Sequence, residues 1–170
     1  MSLSSKKAAE PGDADRLSGP AEAPPIILYA DYECPQCGLA YSRLRAAGVN
    51  LGVRHFPVTS KHRLAWGAAA AAEAAALQGK FWQMSDSLFA EQGKLDPPHL
   101  WSRAHELQLD FDRFERDRTS DQTNALIDQQ FRDAIRAGVA ATPTLLIAGI
   151  LSAEVPTVAE AAELARQTAR

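Results

Sequence analysis

The sequence predicts an α/β fold: a central mixed sheet laid down as β-α-β, then a block of helices, then β-β-α. Three observations predict it. The apolar run Ile26-Ile27-Leu28-Tyr29-Ala30 follows the breaker Pro24-Pro25 and has the length of a buried strand. Between about residue 61 and 137 the chain is dominated by helix formers and apolar stripes at helical spacing. Strand character then returns at Thr144-Leu145-Leu146-Ile147, just after Pro143.

Composition bounds the rest. The 170 residues suffice for one domain with a buried core, and 46% hydrophobic against 23% charged is ordinary for a soluble globular protein. The net charge of -3, with basic residues dispersed among acidic ones, gives no footprint for nucleic acid. No membrane span is expected: the Ala68–Ala76 stretch is too short and is interrupted by Glu73. Met1–Ala23 lacks the apolar centre of a secretory signal. The expected location is cytoplasmic as the sequence stands, and periplasmic if a leader has been removed. A monomer is expected.

Residues 1–24 read as a mostly disordered lead-in, because their Ser, Lys, Ala, Pro, Gly and Asp bury little apolar surface. Residues 25–170 read as a single domain. After the first strand, Leu39–Ala47 is helical and stops before Gly48, and Leu51–Phe56 forms a second strand ended by Pro57. His62–Gln78 is Ala-dense and ends at Gly79, a C-terminal cap; its small side chains permit close packing. Phe81–Ala90 is the next helix. Asp96-Pro97 starts another, with Asp as N-cap, Pro in the first turn, and Leu100, Ala104 and Leu107 on one face. Phe111 and Phe114 belong to a short helix. Ile127, Phe131, Ala134 and Ile135 mark the buried stripe of a longer one that ends at Gly138. Gly149 turns the late strand into a partner around Ile150-Leu151. Thr157 and Glu160 form a capping box that opens the final amphipathic helix.

The only cysteines are Cys34 and Cys37, separated by Pro35 and Gln36. A bridge across so short a loop removes almost no chain entropy, so the pair is no structural staple. Three readings remain: a redox dithiol, half of a zinc site, or two inert thiols. Structural zinc takes four ligands, and the nearby histidines, His55 and His62, are not spaced to complete a set. The redox reading gives each residue a task. Cys34 stands at the N-terminal end of the helix running to Ala47, where unpaired N–H groups and the helix dipole favour a thiolate. Cys37 lies one turn further on, placed to release a mixed disulfide. Pro35 fits the first turn, having no N–H to satisfy, and Gln36 carries no charge.

Asp31-Tyr32-Glu33-Cys34-Pro35-Gln36-Cys37-Gly38 closely resembles the active-site segment of DsbA-like thioredoxin-fold proteins. It is most similar to the branch found as stand-alone bacterial proteins and as tails on some sodium/proton antiporters. Other pieces match in order: Gly19–Pro24 before the first strand, Arg54-His55-Phe56-Pro57, Gly79-Lys80-Phe81-Trp82, and Gly138–Thr144 around Thr142-Pro143. CxxC alone is a weak signal; with the Thr-Pro pair before a late strand and helices between, it is a strong one. The likeness spans roughly Leu17 to Arg170. It implies a thioredoxin fold with an inserted helical block and dithiol–disulfide exchange. Cys34 would be the nucleophile, Cys37 the resolving thiol, and Pro143 a cis-proline bringing the Thr142 backbone beside Cys34 to receive a substrate like an added strand. Thr142, Pro143, Pro35 and Gln36 would then contact substrate. The implied partners are a protein or small thiol or disulfide substrate and a redox partner protein. No metal or organic cofactor is implied. The sequence departs from the family in a short Cys37–Arg54 segment and in Ala141, where Gly is common. No buried acid near Cys37 that would act as its proton acceptor is identifiable; Asp31 and Glu33 are near in sequence but read as exposed.

The competing class is a non-catalytic binding or redox-switch module using the same groove. Other conspicuous residues read as structural. His55 is a satisfied core histidine without a visible partner. His99 and His105 do not share a helix face. Trp66, Trp82 and Trp101 fall in apolar stripes, and Asp112–Arg118 is a solvated helix face.

Overall fold

A computed structural model describes residues 10–168. The elements run β1 (Ile26–Ala30), α1 (Pro35–Ala47), β2 (Leu51–His55), α2 (Ala65–Ala76), α3 (Phe81–Ala90), α4 (Pro97–Glu106), α5 (Phe111–Arg118), α6 (Asp121–Ala137), β3 (Thr144–Ile147), β4 (Ile150–Ser152) and α7 (Val158–Thr168). The sheet order is β2-β1-β3-β4. β1 pairs parallel with β2 and antiparallel with β3, and β4 pairs antiparallel with β3. This is the mixed α/β architecture of a thioredoxin fold, with five helices between β2 and β3.

β1 is buried along its whole length because helices cover both faces of the sheet. Ile26, Leu28 and Ala30 join the larger core with α1 and the Ala-rich α2. Ile27 and Tyr29 point the other way, against Phe131, Ala134 and Val139 at α6 and its exit. That is the period-two alternation of a strand serving two cores. Helix α2 is buried from Ala65 through Ala75 apart from Trp66 and Gly67 at its start, and it packs against α3, α4, α5 and α6. Only methyl-sized side chains allow one helix so many close neighbours.

The ends are set by local chemistry. Gly48 and Gly138 close α1 and α6 in the left-handed conformation, at φ 73° and 102°. Asp110 and Ser120 accept from the backbone of Arg113 and Thr123. Thr157 and Glu160 form the reciprocal capping box. Asp96 holds the cap position of α4, but its carboxylate turns to His99 Nδ1 rather than to the backbone.

Two expectations change. Ile135 is 51% exposed, so the buried stripe of α6 is Thr123, Ile127 and Ala134 with Phe131 half-buried. The lead-in over 1–24 was expected to be mostly disordered; residues 1–9 lie outside the described residues, but 10–24 form a strap across the β2 edge. Leu17 bridges to Gly52, and Ser18 N donates to Leu51 O at 3.0 Å. Gly52 permits this approach, since a Cβ there would stand 2.6 Å from Ile27 and 3.1 Å from Leu17. Composition misleads here because the strap is held by polar groups: Arg16 to Glu73, Asp15 to Arg54, and Asn50 to Ala23 O and Gly19 N.

Candidate active site

The site forms where β1 hands over to α1. Cys34 is the N-cap residue of α1 and Pro35 starts the helix, so the backbone N–H groups of the first turn converge on the Cys34 side chain. Cys37, one turn in, is fully buried. Both are free thiols. Across from them the Thr142–Pro143 peptide is cis, and Cys34 Sγ lies 3.7 Å from Thr142 O, 108 residues away in sequence. The five sequence-expected residues nearest the chemistry, Cys34, Pro35, Cys37, Thr142 and Pro143, are therefore gathered in one place. Gln36 lies beside them in the motif. Pro35 and Gln36 are exposed, Thr142 is half-buried and Pro143 is buried.

The two thiols are electrostatically unlike. Cys34 is lowered to about 5, first because the Cys37 thiol donates to its sulfur, and further because the backbone N–H groups of Cys37 and Gln36 and the Thr142 side chain favour the anion; burial opposes them. Cys37 is raised far above the thiol range, first by giving its proton to Cys34 and then by burial. The helix-end N–H groups expected to favour the thiolate contribute, and the partner thiol leads them.

Asp31 is a buried acid beside Cys37 that the sequence does not make identifiable. It is 1% exposed, and its N–H donates to Cys37 Sγ at 3.5 Å. Its carboxylate accepts from Glu33 N and Val58 N, both at 2.8 Å, and meets His62 Nδ1 at 2.9 Å. Glu33 is half-buried and accepts from Leu64 N. The two acids thus tie the active-site turn to the loop after β2.

His55 is buried as expected, but it has a partner: Nε2 lies 2.7 Å from Glu73, which also takes both branches of Arg16. Among the described residues, its Nδ1 has no hydrogen-bond partner. The Tyr32 ring lies 5.9 Å from the His55 ring, and its hydroxyl meets Ser85 Oγ at 2.7 Å. Gln92, in the turn after α3, donates to the carbonyls of Tyr32 and Cys34. No sequence signal marked Glu73 or Gln92; both act through residues far away along the chain.

Comparison with known proteins places this geometry. A thioredoxin family model matches residues 12–164. The chain belongs to the thioredoxin family. Among curated relatives, this thioredoxin-family domain is 43% identical over 144 residues to the Na(+)/H(+) antiporter NhaA 3 of Salinispora tropica, covering 81% of the chain but 22% of the antiporter. The chain thus spans about a fifth of the length of such relatives. Its solved structural neighbours are DsbA-like. A thioredoxin-like oxidoreductase from Silicibacter pomeroyi superposes with a TM-score of 0.80 at 23% identity, covering 92% of each chain. DsbA2 of Pseudomonas aeruginosa gives 0.66 at 29% identity, covering 84% of this chain and 87% of that one. Among the described residues, no helix of this thioredoxin-family chain is long and apolar enough to cross a membrane, and no three His, Cys, Asp or Glu side chains are grouped to hold a metal ion.

Proposed function

We propose that the chain is a thiol–disulfide oxidoreductase that performs dithiol–disulfide exchange through Cys34-Pro35-Gln36-Cys37. One observation carries the reading: two unequal thiols share a hydrogen bond, and the acidic one stands at a helix N-terminus facing the Thr142 carbonyl. That is the division of labour exchange chemistry needs, because thiolate attacks and a protonated partner waits.

The Cys34 thiolate attacks one sulfur of a substrate disulfide. The Cys34–substrate bond forms, the substrate bond breaks, and the departing sulfur leaves as a thiolate that takes a proton from water. Cys37 then gives its proton to solvent and attacks Cys34. The Cys34–Cys37 disulfide forms and the second substrate thiol is released. Two electrons pass to the substrate; starting from the oxidised pair and a dithiol, the same steps run in reverse. The substrate backbone pairs beside Thr142-Pro143, with Pro35, Gln36 and the exposed Leu39 flanking it. The substrate class is a protein or small thiol or disulfide, with a redox partner protein to reset the pair. No metal or organic cofactor takes part.

Cys34→Ser abolishes turnover in insulin reduction and in dithiol oxidation, and Cys37→Ser accumulates mixed disulfides with oxidised substrate. Full activity of Cys34→Ser overturns the reading. A wild-type chain that reacts once and does not turn over favours the redox-switch alternative.

A further inference from the structure

The first turn of α1 contains a residue that helix propensity disfavours. Gly38 follows Cys37 inside the helix, where Ala is a much better helix former. A Cβ at this position would overlap Gln92 Oε1 and stand 2.9 Å from Gln92 Cδ. The missing side chain is therefore the space in which the Gln92 amide lies.

That amide reaches in from the helical block. Gln92 Nε2 donates to Tyr32 O at 2.9 Å and to Cys34 O at 2.8 Å, across 60 and 58 residues of sequence. Both targets are carbonyls, so the amide orientation is fixed by its acceptors, and both of its hydrogens are used. The same turn is held from within by Cys34 N donating to Asp31 O at 3.1 Å and Gly38 N donating to Cys34 O at 3.2 Å. Gln92 is thus the clamp that the helical block places on the reactive turn, opposite the ties that Asp31 and Glu33 make to the loop after β2.

We propose that Gln92 is a positioning residue for thiol exchange, its amide locking the Tyr32 and Cys34 carbonyls so that the Cys34 sulfur stays between Cys37 and Thr142, and that Gly38 exists to admit it. The proposal rests on Cys34 being the attacking thiol. Without the amide, Tyr32 O loses this donor and Cys34 O keeps only Gly38 N, so the turn loosens and the sulfur drifts from its donors. Loss of the clamp therefore penalises the anion and leaves the substrate groove intact.

The test uses the whole chain. Gln92→Met keeps the bulk and removes both donors; Gln92→Glu keeps the shape and opposes two carbonyls with a carboxylate. We expect Gln92→Met to lower the exchange rate about three- to tenfold, in kcat rather than KM. The pH midpoint of Cys34 alkylation rises by about half a unit. Gln92→Glu is worse on both counts, whereas a residue that only fills space would tolerate it. Gly38→Ala, which improves helix propensity, reproduces the Gln92→Met shift by evicting the amide, and it adds nothing in a Gln92→Ala background. Gln78→Met breaks a comparable loop clamp to the Asp110 backbone and leaves the midpoint in place. Unchanged midpoints in Gln92→Met and Gln92→Glu, or additive effects of Gly38→Ala and Gln92→Ala, overturn the proposal. If wild-type protein shows no turnover, the oxidoreductase reading fails, and the alkylation midpoint still decides the role of Gln92.

Discussion

The Cys37 thiol donates its proton to the sulfur of Cys34, and this one hydrogen bond is the largest reason the two residues titrate at opposite ends of the scale. Removing the donor is therefore more damaging to Cys34 acidity than removing any backbone N–H. In reduced Cys37→Ala the Cys34 midpoint, read from thiolate absorbance or alkylation, rises from about 5 by more than a unit. Cys37→Ser retains a donor and moves it less. Equal midpoints in wild type and Cys37→Ala would assign the acidity to the helix end alone.

The same asymmetry sets how the redox equilibrium depends on pH. The folded value of Cys34, about 5, lies below that of an unfolded thiol. The reduced state gains stability that is fully present above the unfolded value and is lost as pH falls through about 5. Cys37, raised, acts only above the unfolded thiol range. Between about pH 5 and about pH 8 the stability of reduced over oxidised protein therefore climbs with pH, by at most about 1.4 kcal/mol per unit. Urea unfolding of both forms at the two ends of that window measures it. The reduction potential should also change slope near pH 5, from about 59 mV per unit below to about 30 mV per unit above, because only Cys37 then takes up a proton on reduction. A single slope throughout would mean the thiols are not split.

Asp31 is expected to matter for the turn more than for proton transfer. Its carboxylate is occupied by Glu33 N, Val58 N and His62 Nδ1, and only its N–H addresses Cys37. Asp31→Ala leaves two backbone donors without an acceptor and lowers unfolding free energy by about 2–4 kcal/mol. Asp31→Asn keeps the shape and loses less. Both slow resolution, so more mixed disulfide is trapped than in wild type at equal substrate. A destabilised Asp31→Ala protein that resolves at the wild-type rate would confine Asp31 to stability.

The pattern of what could be read ahead follows from reach. β1, α3 and β3 were placed by runs of residues whose signal is local, and Cys34, Cys37 and Thr142-Pro143 by chemistry peculiar to their types. Asp31 escaped because burial of a single acid depends on which loop folds over it, here the one carrying Val58 and His62. Glu73 looked like an interruption in an alanine run, yet it is the residue that anchors His55 and Arg16 inside the core. Ile135 sits at a helical spacing from Ile127 that suggests one stripe, but the α6 contact surface is narrower than that stripe, and it projects outward. Residues 10–24 lie against the domain through ion pairs to buried partners, which a composition argument that counts apolar area does not weigh.

Those ion pairs yield the last prediction. Arg16 grips both oxygens of Glu73 at 2.9 and 2.8 Å, and Glu73 is 3% exposed while the Arg16 side chain is 37% exposed. Burial pushes the Glu73 carboxyl up, but His55 and Arg16 more than reverse that, and it rests below its ordinary value. A depressed carboxylate contributes stability that is present above its unfolded value and is lost as pH falls through the folded one. Arg16→Ala leaves His55 as the sole partner of Glu73 in this network and, with the partial exposure of the arginine discounted, lowers stability by about 1–2 kcal/mol near neutral pH. Thermal unfolding from about pH 7 to about pH 3 should show the two curves converging, since protonated Glu73 no longer rewards the guanidinium. Arg16→Lys restores the charge without the two-pronged geometry and recovers part of the gap. A gap of constant size down to the acid limit would mean that Arg16 holds the strap by packing over the Phe81 ring, 4.9 Å beneath its guanidinium, rather than through Glu73.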